Sequence, residues 1–143
     1  IQTATIVFTP VPNAQGAAPA SVTPTNGAGS PAGAYINGLL TGNKLYEARY
    51  STDGVINTQT LFANLVSSMN LTSGLSMDQT EAYPAVGLAD LGTTVYMMES
   101  EFKFVLSAGD QASGTSAFLI IPEPATLALL AIGGGLAIRR RRA

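Results

Sequence analysis

The sequence predicts a mainly β protein, a small β-sandwich with one short helix, followed by a single transmembrane helix at the C-terminus. Charged residues make up only 11% of the chain, whereas it holds 15 Gly and 8 Pro. Polar but uncharged surfaces with many turn residues are typical of all-β domains. Residues 93–107 alternate between apolar and polar side chains, and residues 125–138 form an uncharged apolar run ahead of four arginines.

The chain is expected to divide into a β-domain, residues 1–121, and a C-terminal segment, residues 122–143. The first part carries a formal charge of 3 − 8 = −5, and the second carries 4 − 1 = +3. An acidic domain argues against nucleic acid as a partner. The cationic end suits a membrane surface instead.

The N-terminal part combines a strand with a stretch that has little to bury. Residues 1–9 are rich in β-branched and aromatic side chains and are predicted to form a strand. Residues 10–34 contain five Pro, four Gly and seven Ala, a composition that predicts an extended or mobile linker. The alternative is an ordered arm that packs along a neighbouring subunit.

The middle of the chain is predicted to contain a strand, a turn and the helix of the β-domain. Residues 44–50 alternate between two faces, and Asp53 and Gly54 supply a turn ahead of a short return strand. From residue 58 to residue 69, apolar side chains recur at helical spacing, which predicts a short amphipathic helix. Its apolar positions are Leu61, Phe62, Leu65, Val66 and Met69.

The clearest strand spans residues 93–107. Its alternation predicts one buried and one solvated face. A turn-rich loop, residues 108–115, is expected to lead to a last strand, residues 116–121, which joins the C-terminal segment directly. The face predicted to be buried carries Tyr96, Met98, Phe102, Phe104 and Leu106, and the solvated face carries Met97, Glu99, Glu101 and Lys103.

The C-terminal segment consists of a rigid lead, an apolar helix and a basic end. Pro124 suits the first turn of a helix, where its missing N–H costs nothing. The apolar run, residues 125–138, would be about 21 Å long as a helix, short of the ~30 Å hydrocarbon layer. Arginines that follow can reach the headgroups and place the C-terminus in the cytoplasm. The predicted membrane-anchoring residues are Leu127, Leu129, Leu130, Ile132, Leu136, Ile138, Arg139, Arg140, Arg141 and Arg142, and Gly133, Gly134 and Gly135 offer a surface for helix packing.

The succession of Pro122, Glu123, Pro124, an apolar helix with glycines and an arginine cluster resembles the PEP-CTERM sorting signal of Gram-negative bacteria. The resemblance is confined to residues 122–143. It implies export, tethering to the inner membrane by the C-terminal helix, and processing near the Pro-Glu-Pro step by an exosortase, a membrane cysteine protease. It also implies a periplasmic or cell-surface β-domain, with release to the extracellular matrix of biofilm-forming cells.

The composition excludes several kinds of active site. The chain has no Cys, no His and no Trp, which excludes thiol nucleophiles, histidine bases and Cys/His zinc sites. It has neither a phosphate-binding glycine loop nor a serine nucleophile elbow. We therefore expect no enzymatic activity, no cofactor and no bound metal.

Four acidic residues are candidates for chemistry. Glu99 and Glu101 are the one closely spaced pair of carboxylates, and their spacing puts both on one face of a strand. Such pairs serve glycoside hydrolysis or bind calcium, but the nearby Lys103 favours a solvated, charge-compensated surface. Asp53 and Asp110 lie beside glycines and are interpreted as turn residues rather than calcium ligands.

The leading hypothesis is a non-enzymatic structural protein of the cell surface or extracellular matrix, which acts through adhesion or through self-assembly at its sheet edges. The alternative is an accessory subunit of a respiratory or photosynthetic membrane complex, retained by an uncleaved C-terminal helix. A third hypothesis, carbohydrate binding, requires aromatic side chains grouped on a solvent-facing surface.

Overall fold

The computed structural model describes residues 5–27, 33–55, 58–72 and 75–123, which form a mainly β structure. The predicted β-rich fold is thus confirmed. Among the described residues there is no α-helix, and hence none with the length and hydropathy to cross a bilayer. The predicted membrane helix, residues 125–138, lies outside them. The strands are β1 (Ile6–Val11), β2 (Ala14–Thr25), β3 (Ala34–Gly38), β4 (Lys44–Ser51), β5 (Thr60–Ser67), β6 (Met69–Leu71), β7 (Gln79–Tyr83), β8 (Ala89–Asp90), β9 (Val95–Phe102), β10 (Phe104–Leu106), β11 (Gln111–Ser116) and β12 (Leu119–Pro122).

The described strands form three antiparallel sheets. One sheet has the order β1-β9-β4-β5, and a smaller one has the order β10-β3-β6. The third is built on β2, which pairs with β11 and β12 along one edge and with β7 and β8 along the other. The last described strand, β12, belongs to this sheet, so the C-terminal segment starts at the sheet that contains β2.

The stretch expected to be a linker contains the central strand β2, so that prediction is wrong for residues 14–25. Burial alternates along the whole strand, and its buried face carries only small side chains. At Gly16, for example, a Cβ atom would lie 3.1 Å from Cζ of Phe62 on β5. Small residues on β2 therefore make room for large ones on the facing sheet, and four strands of its own chain hold β2 in place. The buried face consists of Ala14, Gly16, Ala18, Ala20, Val22 and Pro24.

Two prolines lie inside β2 without disrupting its pairing. In an antiparallel strand, the N and the C=O of one residue point to the same edge. The carbonyl of Pro19 accepts the N–H of Ala117, between β11 and β12, and that of Pro24 accepts the N–H of Met77, ahead of β7. The missing N–H of Pro19 thus faces the segment between β11 and β12, and that of Pro24 faces the segment ahead of β7, so neither proline removes a hydrogen bond from a paired strand.

The helix predicted over residues 58–69 is wrong, because β5 and the start of β6 occupy this range. Two irregularities disturb the alternation of β5. Leu61 and Ala63 pair with adjacent residues of β4, which leaves Phe62 as the extra residue of a β-bulge. Val66 has a left-handed φ of 58° and is fully buried. These interruptions convert a period of two into a spacing that resembles a helix.

One hydrophobic core joins all three sheets. Tyr46 at its centre is 0% exposed, and its ring lies 5.0 Å from that of Phe102 on the neighbouring strand. Partly buried aromatic rings close the periphery of this core. Its buried members are Ala18, Ala20 and Val22 of β2, Ile36 of β3, Leu45, Tyr46 and Ala48 of β4, Ala63, Leu65 and Val66 of β5, and Met69 of β6.

The strand predicted from the clearest alternation is in fact two strands, β9 and β10, separated at Lys103. The expectation of a fully solvated second face is wrong, because Val95 and Met97 are 0% and 2% exposed. Gln59, just before β5, donates a hydrogen bond to Glu99 on β9. Because β4 lies between β5 and β9, the side chain of Gln59 extends over β4 to reach Glu99. It therefore covers part of the face that was expected to be solvated.

The remaining strand predictions agree in part with the structure. β4 matches the strand predicted over residues 44–50, and β1 overlaps the one predicted over residues 1–9. Residues 111–116 form β11 where a loop was expected. β12 confirms that a strand leads straight into the C-terminal segment.

Candidate functional site

The end of the β-domain and the start of the C-terminal segment form one structural unit. β12 pairs antiparallel with the first part of β2, and Pro122 lies opposite Ala14. The N–H of Glu123 donates to the carbonyl of Asn13 at 3.0 Å. The sheet therefore holds the first two residues of the predicted sorting motif. Pro124 and all predicted anchor and helix-packing residues lie outside the described residues.

Two side chains, one in β12 and one just ahead of it, pack this strand against the core. The ring of Phe118, just ahead of the strand, stacks on Phe62, with centroids 5.2 Å apart and planes 26° from parallel. Ile120 lies over Gly16, where a Cβ atom would come within 3.2 Å of its Cδ1. Because Gly16 has no side chain, β12 can lie close to β2 and to the ring of Phe62.

The turn before β2 supplies the acceptor for Glu123. Asn13 has a φ of 45°, a left-handed conformation that Asn tolerates better than most residues. Ala14, the next residue, is hydrogen-bonded on the edge of β2 opposite β12. Its N–H donates to the carbonyl of Thr93 and its carbonyl accepts the N–H of Leu91, both at 2.9 Å. The start of β2 is thus a fixed support for the sorting motif.

The predicted carboxylate pair belongs to a larger charged group. Glu101 lies opposite Glu47 of β4, and Glu99 lies opposite Arg49. Glu47 is only 4% exposed and accepts a hydrogen bond from Arg49 Nε at 2.5 Å. This bond raises the pKa of Arg49 above its ordinary value, so the guanidinium stays charged among the carboxylates. One sign of this group is visible in the sequence, since the alternation of residues 44–50 puts Glu47 and Arg49 on one face.

The contacts of Glu99 favour a structural role for this charged group. Glu99 accepts hydrogen bonds from Thr5 Oγ1 at 2.6 Å and from Gln59 Nε2 at 3.1 Å. Within the described part of the chain, no three acidic side chains are grouped to hold a metal ion. The cation that faces the pair is Arg49, a residue that sequence reasoning did not connect with it.

The two turn aspartates act as the sequence predicts. Asp53 accepts hydrogen bonds from Ser51, Thr58 and the N–H of Val55, which lower its pKa to about 2. Asp110 accepts from the Ser107 hydroxyl and from the N–H of Gly27, and its pKa is also lowered. Both carboxylates therefore stay charged to low pH while they tie loops together.

An aromatic pocket lies near the start of β2. Phe62 packs edge-on against Tyr50 and Tyr83, with centroids 6.4 Å and 5.3 Å apart. Tyr83 is 47% exposed, so part of this group faces solvent. Asp90 is a polar residue of the lining, and its carboxylate accepts a hydrogen bond from the N–H of Gly92 at 2.8 Å. The pocket has a volume of about 180 Å³ and is lined by Tyr50, Leu61, Phe62, Tyr83, Ala89, Asp90 and Leu91.

Comparison with known proteins identifies the C-terminal segment. Residues 121–142 match the family model described as the PEP-CTERM protein-sorting motif, which confirms the resemblance drawn from Pro122, Glu123, Pro124 and the arginine cluster. No curated protein and no solved structure matches the chain. The motif indicates an exported protein that is anchored at the membrane and recognised by an exosortase.

Proposed function

We propose that this protein is a non-enzymatic structural protein of the cell surface or extracellular matrix, with a β-sandwich that its C-terminal segment holds at the membrane until an exosortase releases it. The observation that carries the proposal is the direct connection of β12 to the sorting motif at Pro122. The core shared by the two larger sheets supports the sandwich arrangement. The match to residues 121–142 supports the role of the exosortase.

The short connection favours a domain that rests on the membrane surface. Only Glu123 and Pro124 separate the end of β12 from the apolar run at residue 125. Two residues span at most about 7 Å. If the run enters the bilayer, the edge of the β2 sheet lies against the headgroups, and the domain cannot leave the membrane without a cut.

The contacts of two carboxylates support a non-enzymatic role. Glu47 accepts a hydrogen bond from Arg49, and Glu99 accepts hydrogen bonds from Thr5 and Gln59. Neither carboxylate is therefore free to activate a water or a substrate.

Intact mass spectrometry of protein from native cells tests the proposal. We expect full-length protein in membranes and a shortened form, cut near residues 122–124, in the released fraction. A Pro122→Ala/Glu123→Ala/Pro124→Ala variant should remain full-length. A full-length wild-type mass confined to membranes, in a complex with other subunits, would contradict release and support the accessory-subunit alternative.

A second candidate function, carbohydrate binding, is favoured by the aromatic pocket. The exposed ring of Tyr83 offers an apolar face to the C–H groups of a sugar ring. The carboxylate of Asp90 accepts one hydrogen bond, from the N–H of Gly92, and has lone pairs left for sugar hydroxyls. We expect Tyr83→Ala to weaken binding of cello- or chito-oligosaccharides about tenfold or more in calorimetric titrations. Tyr35→Ala is the matched control, because Tyr35 is 44% exposed on another sheet. Equal affinity of both variants and the wild type would rule out this site.

A further inference from the structure

We propose that the pairing of residues 119–123 with β2 is an autoinhibitory latch: an exosortase cuts the motif only after this segment, the C-terminal latch, has detached from the sheet. The inference rests on the proposed function, because it concerns access of the same protease to the same motif. Bond cleavage itself belongs to the protease. The β-domain controls how often the motif is accessible.

The backbone of the latch is occupied along one edge in the folded domain. Each residue from Leu119 to Pro122 has a partner on β2, and the N–H of Glu123 is bonded to Asn13. A protease cleft that encloses an extended substrate contacts the chain on both sides, unlike strand addition, which uses one open edge. Among the described strands, β12 has one hydrogen-bonded neighbour, β2. Its other edge is open, but a cleft that encloses the chain needs both edges.

The strand to which the latch is paired, β2, is held in place by its other contacts. Ala14 is hydrogen-bonded to Thr93 and Leu91 on the edge of β2 opposite the latch. Further along, β2 is paired on both edges and forms part of the core. Access therefore requires the latch to leave β2, because β2 cannot move away from the latch.

Detachment of the latch is feasible without unfolding of the whole domain. The latch includes an edge strand of only four residues, β12. Short edge elements with few contacts open locally at a lower free energy than that of global unfolding. The contacts that oppose opening are that of Ile120 over Gly16 and, directly ahead of the latch, the Phe118 stack on Phe62. These contacts would set the rate of processing.

A reversible crosslink tests the latch in the full chain. Gln15 and Ile121 are direct partners in the β2–β12 pairing. Opposed residues of an antiparallel pair have Cα atoms roughly 4.5–5.5 Å apart, within the range of a disulfide. The natural chain has no cysteine, so a Gln15→Cys/Ile121→Cys variant forms one defined bond in the oxidising periplasm. We expect the rate at which an exosortase cleaves this variant in cells to fall at least tenfold. The rate should recover once mild reduction breaks the disulfide.

The matched control is Ser21→Cys/Thr115→Cys. These residues are direct partners on the same face of β2 and along the same edge, but they join β2 to β11. Because the register of β11 and β12 against β2 is continuous, both pairs occupy the same type of ladder position. We expect the control crosslink to leave processing at the wild-type rate.

A loosening variant keeps the inference testable if the crosslinked chain does not fold. Phe118→Ala removes the ring that stacks on Phe62, and we expect processing to become about fivefold faster. Phe104→Ala, which removes a ring packed against the core from β10, controls for general destabilisation and should show a smaller increase.

The outcomes separate the latch from the proposed function. Processing of the oxidised Gln15→Cys/Ile121→Cys chain at the wild-type rate overturns the latch and leaves release by the exosortase intact. If the wild type is never shortened, both proposals fall. Slow processing of both crosslinked chains also overturns the latch, since a general rigidity of the sheet would then explain the effect.

Discussion

Replacing Gly38 by alanine is expected to lower the free energy of unfolding by about 3 kcal/mol or more. Gly38 ends β3, where the backbone of the following turn passes close by. A Cβ atom there would lie 2.2 Å from the carbonyl oxygen of Lys44 and 2.5 Å from that of Asn43. Both obstacles are backbone atoms, which cannot rotate away as a side chain does. Since domains are stable by about 5–15 kcal/mol, the loss is a large fraction of the total.

Urea unfolding of Gly38→Ala and Gly114→Ala measures this effect against a control. At Gly114 on β11, a Cβ atom would lie 3.4 Å from Cζ of Phe102, an ordinary contact. We expect the control to change the free energy of unfolding by no more than about 0.5 kcal/mol. Equal unfolding midpoints for both variants would show that the turn after β3 accommodates a side chain.

Features that depend on neighbours in sequence could be predicted. β4 follows from the alternation of residues 44–50, because one period of two persists without interruption. The sorting motif follows from Pro122, Glu123 and Pro124 together with the apolar run and the arginines. The turn role of Asp53 follows from its glycine neighbour and from the tendency of Asp to bond nearby N–H groups.

Features that depend on the facing sheet could not be predicted. β2 consists of residues that bury little area by themselves, and its strand conformation depends on Phe62 and other large residues that fill the space above it. The helix predicted for the range of β5 is wrong because a bulge at Phe62 and the left-handed Val66 disturb the alternation of this strand. Glu101 lies opposite Glu47 because β4 pairs with β9, and these two residues are 54 positions apart in the sequence.

Glu81 on β7 joins three strands and carries the second large expected effect. Its carboxylate forms an ion pair with Lys44 Nζ of β4 at 3.0 Å and accepts the N–H of Val66 of β5, also at 3.0 Å. Gln79 donates a further hydrogen bond at 2.7 Å. Val66 is β-branched and left-handed, a conformation that costs about 1–3 kcal/mol. The hydrogen bond to Glu81 helps to hold it there.

We expect Glu81→Ala to lower the free energy of unfolding by about 2 kcal/mol at pH 7. The substitution leaves the Lys44 ammonium and the Val66 N–H without this acceptor in a part-buried position. Glu81→Gln keeps an acceptor oxygen but removes the charge, so its loss should be smaller. If Gln were as destabilising as Ala, the ion pair rather than the bond to Val66 would account for the effect.

The pKa of Glu81 makes its contribution dependent on pH. Burial alone would raise this pKa, but the hydrogen bonds from Lys44, Val66 and Gln79 outweigh burial and lower it below the ordinary value of 4.5. The folded protein therefore keeps the carboxylate deprotonated to a lower pH than the unfolded chain does. Its contribution is complete above pH 4.5 and is lost as the pH falls through the folded pKa.

The difference between the wild type and Glu81→Ala should consequently shrink as the pH falls below 4.5. The wild type will go on losing stability toward a pH of about 2, because the pKa of Asp53 is lowered to about 2 and that of Asp78 is lowered as well. Urea midpoints of both proteins across this range test the sign. A difference that stays constant down to pH 2 would mean that Glu81 stabilises the fold by packing, since a packing contact does not depend on protonation.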